Sequence, residues 1–191
     1  YGAASPEIDK FYIETVEALS EKLARRGHNL IFGAGGSGLM GAAARGFHIG
    51  GGRVCGVVPN FFREQNIEAL YDNADNIIYT RDMGVRKEIM EENGDAFIIT
   101  PGGVGTFDEF FQVLTLKQLK QHNKPIALFN IKGYYYSIQA LLHNGAEEHF
   151  LRQDCLDLYR IFDENSVDEL ITYVETGSKK IEGNVVDLEY K

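Results

Sequence analysis

Nine consecutive residues, Pro101-Gly102-Gly103-Val104-Gly105-Thr106-Phe107-Asp108-Glu109, combine the parts of an anion site with those of an acid. Glycines open the main chain to a ligand. Where such a loop feeds a helix, its N–H groups meet an anion at the positive end of the helix dipole. The Thr106 hydroxyl adds a further donor. Two carboxylates follow at once, and carboxylates repel phosphate, so the stretch reads as an anion held at one end with an acid beside it. Gly102, Gly103 and Gly105 are expected either to take positive φ or to admit a ligand against the backbone. Asp108 and Glu109 are expected in the first helical turn. There Asp108 complements the dipole, and Glu109 stands where a substrate would meet it.

A second glycine loop, Gly33-Ala34-Gly35-Gly36-Ser37-Gly38-Leu39-Met40-Gly41, matches G-x-G-x-x-G between a strand and a helix. That pattern suits a dinucleotide only if an acidic residue ends the next strand to hold the ribose. The next strand ends Val57-Val58-Pro59-Asn60 and carries no acid, which argues against NAD. For Gly35, Gly36 and Ser37 a ligand-facing role and a packing role weigh equally, and for Gly41 packing is expected. On composition alone, Arg86-Lys87 is a solvated helix face paired with Glu88 and Glu91, and Glu64 an ordinary loop acid. His28, His48, His122, His143 and His149 have no metal-ligand spacing and receive no role, so no metal or cofactor is expected. Tyr134-Tyr135-Tyr136 reads as packing rather than a base-stacking platform.

The elements that must position these residues alternate between helix and strand. Ser5 is an expected N-cap, Pro6 a first helical residue, and Ile8, Phe11, Tyr12, Val16, Leu19 and Leu23 recur at helical spacing up to the stop at Arg25-Arg26-Gly27. Strands are expected at 29–32, 53–58, 76–79, 95–100, 125–130 and 159–162. Helices are expected at 39–47, where small residues allow close packing on a sheet, at 82–93 between Asp82 and Gly94, at 107–121, at 136–149, and from Ser166 to Gly177. Residues 60–75 are irregular with at most one helical turn. Continuous apolar strands separated by helices imply an α/β fold. It is a single-domain, Rossmann-like, doubly wound, mostly parallel sheet with helices on both faces, and its ligands belong beyond the carboxyl ends of the strands. Residues 1–177 form that domain, and 178–191 a polar, loose tail in which Val185, Val186 and Leu188 could dock on a neighbour.

The 191 residues are enough for one sizeable core. A hydrophobic share of 44% with 25% charged residues is ordinary for a soluble globular protein. The net charge of −9 disfavours nucleic acid and anionic membranes as partners. Two cysteines, Cys55 and Cys155, suggest neither zinc nor a disulfide framework and fit a reducing cytoplasm. No membrane-length apolar run or signal peptide is evident. The chain begins at Tyr1 rather than Met, so a truncated first strand is an open expectation.

Taken together, Gly35 to Gly41, Arg86-Lys87 and Pro101 to Glu109 resemble the LOG (Lonely guy) family of cytokinin riboside 5′-monophosphate phosphoribohydrolases. The resemblance runs from about Gly2 to the helix near 149. It implies a Rossmann-like homodimer that cleaves the N-glycosidic bond of a nucleoside monophosphate, N6-substituted AMP or AMP. By position, Arg86 and Glu109 would be the catalytic pair. Gly102, Gly103, Val104, Gly105 and Thr106 would hold the phosphate, and Lys87, Glu64 and Thr115 would contact substrate. Such proteins also carry an older name, lysine decarboxylase. That chemistry needs pyridoxal phosphate on a Schiff-base lysine, and no residue here marks such a site. A non-catalytic nucleotide-binding sensor or carrier is the alternative reading of the same loops.

Overall fold

The structure is a computed structural model that describes residues 1–65 and 67–177; the 178–191 tail lies outside them. Two compact units are present, residues 1–94 and a second beginning at Asp95.

In the first unit, β1 (Leu30–Phe32), β2 (Val54–Pro59) and β3 (Asn76–Thr80) pair in parallel in that order, with Ile31 opposite Cys55 and Val57 opposite Ile78. All six residues of β2 are buried, as a central strand with neighbours on both sides requires. Cys55, Val57 and Ile78 pack with Ile89 and Met90 of α4 (Met83–Asn93). Helix α4 runs between the expected punctuation: the Asp82 carboxylate accepts the Val85 N–H at 2.9 Å, and Gly94 follows its last turn.

Helix α1 (Lys10–Arg25) starts later than Ser5 and Pro6 suggest. Asp9 is the cap, accepting the Phe11 N–H, while Ser5 Oγ closes only a turn with the Glu7 N–H. Residues 3–5 are needed elsewhere: they lie over Gly38, at the start of α2 (Gly38–Ile49), and the Ala3 carbonyl accepts the N–H groups of Leu39 and Met40. The small residues of α2 bring it against α1. A Cβ on Gly50 would stand 2.5 Å from Ala24 Cβ, and one on Gly46 would lie 2.7 Å from Ser20 Cβ. The close partner of those glycines is therefore a helix, where the sequence suggested a sheet. The 60–75 stretch holds one short helix, α3 (Asn60–Glu64).

In the second unit, β4 (Phe97–Ile99), β5 (Ile126–Asn130) and β6 (Arg160–Asp163) also pair in parallel in that order, and β5 is buried throughout. Helices α5 (Val104–Gln118), α6 (Tyr136–Glu147) and α7 (Val167–Gly177) alternate with them, joined by 3₁₀ turns at Ile131–Gly133 and Gln153–Asp157. The α/β class with parallel strands is the one the sequence implied. Its strands form two ladders of three, each with the connectivity of one half of a Rossmann fold. Among the described residues no helix is long and apolar enough to cross a membrane.

His122, given no role from sequence, ties the end of α5 to the start of β5. Its Nδ1 accepts the Lys124 N–H at 3.1 Å, so Nε2 carries the proton and donates to the Val113 carbonyl at 2.9 Å. Burial holds the imidazole below its ordinary value, against the Val113 carbonyl and with Lys124 and Lys117 adding to the depression. The folded state therefore binds the proton less readily than the unfolded chain does. The stability this confers is complete above about pH 6.5 and is lost as pH falls from there through the depressed folded value. His122→Gln is expected to flatten that acid-side fall in Tm, read by circular dichroism across the pH series. An unchanged slope would show that other groups set it.

Candidate functional site

Each unit presents one glycine loop at the carboxyl end of its first strand. In the first unit the loop after β1 is covered by the segment 67–71. The Tyr71 N–H donates to the Ala34 carbonyl at 2.8 Å, the Gly36 N–H donates to the Ala69 carbonyl at 2.8 Å, and Gly35 bridges Leu70. Ala34 adopts φ +70°, a left-handed conformation unusual for a residue with a Cβ. That Cβ packs on the bare Cα of Gly56, where a side chain would stand 2.7 Å away. The covering segment is anchored by His48, which joins Tyr71 Oη at 3.0 Å and the Asp75 carboxylate at 3.1 Å. Burial acts to raise the Asp75 carboxyl, but the Val54 N–H and His48 outweigh it and hold it below the usual range.

This loop is not an open anion cradle. The Leu39 and Met40 amides at the start of α2 are used by Ala3, and the Gly36 amide by Ala69. A dinucleotide pyrophosphate would have to displace these partners, a second argument against NAD. Gly41 packs as expected, because a Cβ there would collide with the Gly36 carbonyl. Ser37 is half-buried and makes no side-chain cap of α2.

Arg86 departs from the solvated face that composition suggested. It is 7% exposed, and its Nε donates to the Val57 carbonyl of β2 at 3.1 Å. Its guanidinium lies against Gly33: a Cβ at that position would strike Nη2 and come within 3.3 Å of Cζ. Burying a guanidinium is costly unless it is held by partners, and the bare Cα of Gly33 and the Val57 carbonyl form part of its seat. Sequence reading passed over Gly33. Its signal is the first glycine of the G-x-G-x-x-G run, directly after a strand.

Lys87 is half-buried on the adjoining helix position, and Glu64 is exposed at the end of α3. A different loop acid, Glu68, stands against the glycine loop: its Oε1 occupies the space a Gly35 Cβ would need. No local pattern marks Glu68, since its place comes from the pairing of segment 67–71 with the loop.

In the second unit the loop is short. Helix α5 begins at Val104, three residues earlier than expected, with Gly103 as an N-cap that has no side chain to offer. The amides of Val104, Gly105 and Thr106 are those an α-helix leaves without an i−4 partner. Gly103, Val104 and Gly105 are exposed, and a Cβ on Gly103 or Gly105 would meet nothing within 4 Å. None of Gly102, Gly103 and Gly105 has positive φ. Their value is an unobstructed, exposed backbone at Gly103 and Gly105 and, at Gly102, room for the Thr106 side chain, which a Cβ would strike. Two tyrosines, read from sequence as packing, grip the loop through their hydroxyls. Tyr134 Oη donates to the Gly102 carbonyl and Tyr135 Oη to the Thr100 carbonyl, each at 2.6 Å.

The earlier helix start moves Asp108 and Glu109 into the second turn, beyond the reach of the dipole effect that would have explained them. Asp108 is exposed, but Glu109 is only 7% exposed. It lies at i+3 from Thr106 and i+4 from Gly105, on the same helix face. Helical side chains lean towards the N-terminus, a direction that would carry its carboxylate towards the first turn of α5. Thr115 is not brought to this group. It is exposed, lies nine positions beyond Thr106 and so on the opposite face, about 13 Å further along the axis.

The family model described as "Possible lysine decarboxylase" matches residues 40–174. A cytokinin riboside 5′-monophosphate phosphoribohydrolase of Rhodococcoides fascians is 39% identical over 148 residues, covering 78% of this chain and 74% of that protein. The chain belongs to the LOG family. A probable cytokinin riboside 5′-monophosphate phosphoribohydrolase of Oryza sativa subsp. japonica is 38% identical over 78% of this chain and 59% of its own length. The chain spans less than two thirds of the first rice relatives it matches. Among solved structures, the molybdenum cofactor carrier protein of Chlamydomonas reinhardtii has a TM-score of 0.64 at 21% identity over 92% of each chain. The molybdenum cofactor binding protein of Rippkaea orientalis has 0.61 at 20% over 87% of this chain and 89% of that one. At that identity the likeness is one of fold. Arg86, Lys87, the Pro101–Glu109 stretch and Thr115 all fall inside the LOG-family match.

Proposed function

We propose that this LOG-family chain hydrolyses the N-glycosidic bond of a nucleoside 5′-monophosphate, N6-substituted AMP or AMP, to free base and ribose 5-phosphate. The observation that carries the reading is the Glu109 carboxylate, buried one turn inside an open, uncapped helix N-terminus. A 5′-phosphate on the amides of Gly103, Val104, Gly105 and Thr106 would use remote binding energy to fix the sugar. As the bond from C1′ to the base nitrogen breaks, positive charge builds on the ribose, as in glycoside hydrolysis. A carboxylate there stabilises that charge and takes a proton from the water that adds to C1′, while the base leaves with the bonding pair and is protonated.

We assign Glu109 and Arg86 as the catalytic residues. Lys87 and Glu64 are assigned as substrate contacts, with Gly35, Gly36 and Ser37 as the lining of the first loop. A cytoplasmic homodimer belongs to the same reading. The test is incubation with AMP and an N6-substituted AMP, followed by chromatography for base and ribose 5-phosphate. Release of both products supports it. A nucleotide that binds and stays intact through long incubation would leave a binding module instead.

A further inference from the structure

We infer that Tyr134 is a positioning residue for the phosphate end of this site, aiming the Gly103 amide through the peptide bond it shares with Gly102; the inference rests on the function proposed above. In a trans peptide the C=O and the following N–H point in opposite directions, and none of the peptide bonds among the described residues is cis. The Tyr134 hydroxyl holds the Gly102 carbonyl at 2.6 Å. The Gly103 N–H of that same peptide therefore points away from the tyrosine, on an exposed residue whose Cβ position has no neighbour within 4 Å. Accepting a hydrogen bond at the carbonyl also polarises the peptide and strengthens its N–H as a donor.

The tyrosine is itself firmly seated. It follows a tight turn in which Lys132 and Gly133 take φ of +52° and +74°. Glycine is needed at the second of these, because a Cβ would lie 2.6 Å from the Tyr136 ring. The next residue, Tyr135, is anchored by its N–H on Asn130 Oδ1 at 2.7 Å, and Asn130 Nδ2 donates to Asp163 at 2.8 Å. The rings of Tyr134 and Tyr135 meet edge to face at 5.2 Å.

Tyr135 supplies an internal contrast. Its hydroxyl holds the Thr100 carbonyl at the same 2.6 Å, but the nitrogen of that peptide belongs to Pro101, which has no N–H to aim. The two hydroxyls thus grip one loop with the same geometry, and only one of them controls a donor.

The experiment measures ribose 5-phosphate binding by calorimetry, AMP kinetics and Tm for wild type, Tyr134→Phe and Tyr135→Phe. Losing one oriented donor is expected to weaken ribose 5-phosphate binding and raise the KM for AMP roughly three- to tenfold in Tyr134→Phe, with kcat changed by less than about twofold. Tyr135→Phe is expected to lower Tm, because it removes a buried hydrogen bond to the Thr100 carbonyl, and to leave binding near wild type. Equal binding by wild type and Tyr134→Phe, equal weakening by both variants, or a loss confined to kcat would each overturn the inference while leaving the proposed hydrolysis standing. A wild type that neither binds ribose 5-phosphate nor cleaves AMP would remove both.

Discussion

Glu109→Gln is expected to lower kcat for AMP cleavage by about 10²- to 10⁴-fold, the range spanned by loss of a positioned acid–base group or a preorganised electrostatic partner. The substitution preserves shape and removes only the charge and the proton affinity. Packing around the 7%-exposed side chain should therefore survive, and Tm should stay close to that of wild type. Ribose 5-phosphate affinity should also persist, because the amides that would hold it belong to the first turn of α5 and Glu109 to the second. Asp108→Asn is the matched control. Asp108 is the adjacent residue on the same helix, but it faces solvent and is expected to leave kcat unchanged. Single-turnover base release resolves the two, and full activity in Glu109→Gln would remove the carboxylate from the mechanism.

That contrast between neighbouring acids marks how far the sequence could be read. Elements whose signals are local came through. Helix α4 is bounded by Asp82 and Gly94, and the buried runs of β2 and β5 follow from mainly apolar residues. The elements that shifted are those decided by distant partners. Four residues rich in glycine and lacking a capping side chain read as loop, yet α5 begins among them, where the Tyr134 hydroxyl, far along the chain, fixes the Gly102 carbonyl. Ser5 looked like a cap, but residues 3–5 are drawn across the start of α2, and Asp9 takes the role instead. Arg86 sits in a charged run that reads as surface, yet it is buried against Gly33 and the Val57 carbonyl, which are remote in sequence. Periodicity reports which face of an element is apolar, and it carries no information about a polar side chain whose partners lie on other strands.

Gly33→Ala is therefore expected to cost AMP turnover about 10- to 100-fold without altering any titratable group, a loss typical of displacing a catalytic group by about an ångström. Gly33 does not use positive φ, so its backbone accepts alanine. The new methyl group would strike Arg86 Nη2, the far end of a long side chain, and would stand 3.1 Å from Met40 Sδ. The guanidinium yields before the strand does. Tm should fall little, while kcat should approach that of Arg86→Lys, which keeps the charge but loses the planar fork that fits between Gly33 and Val57. Because both changes would act through the same guanidinium, adding Gly33→Ala to an Arg86→Ala background should cost almost nothing further. If the double variant instead lost the product of the two single effects, Gly33 would be acting on something other than Arg86, and its bare Cα would need a different explanation.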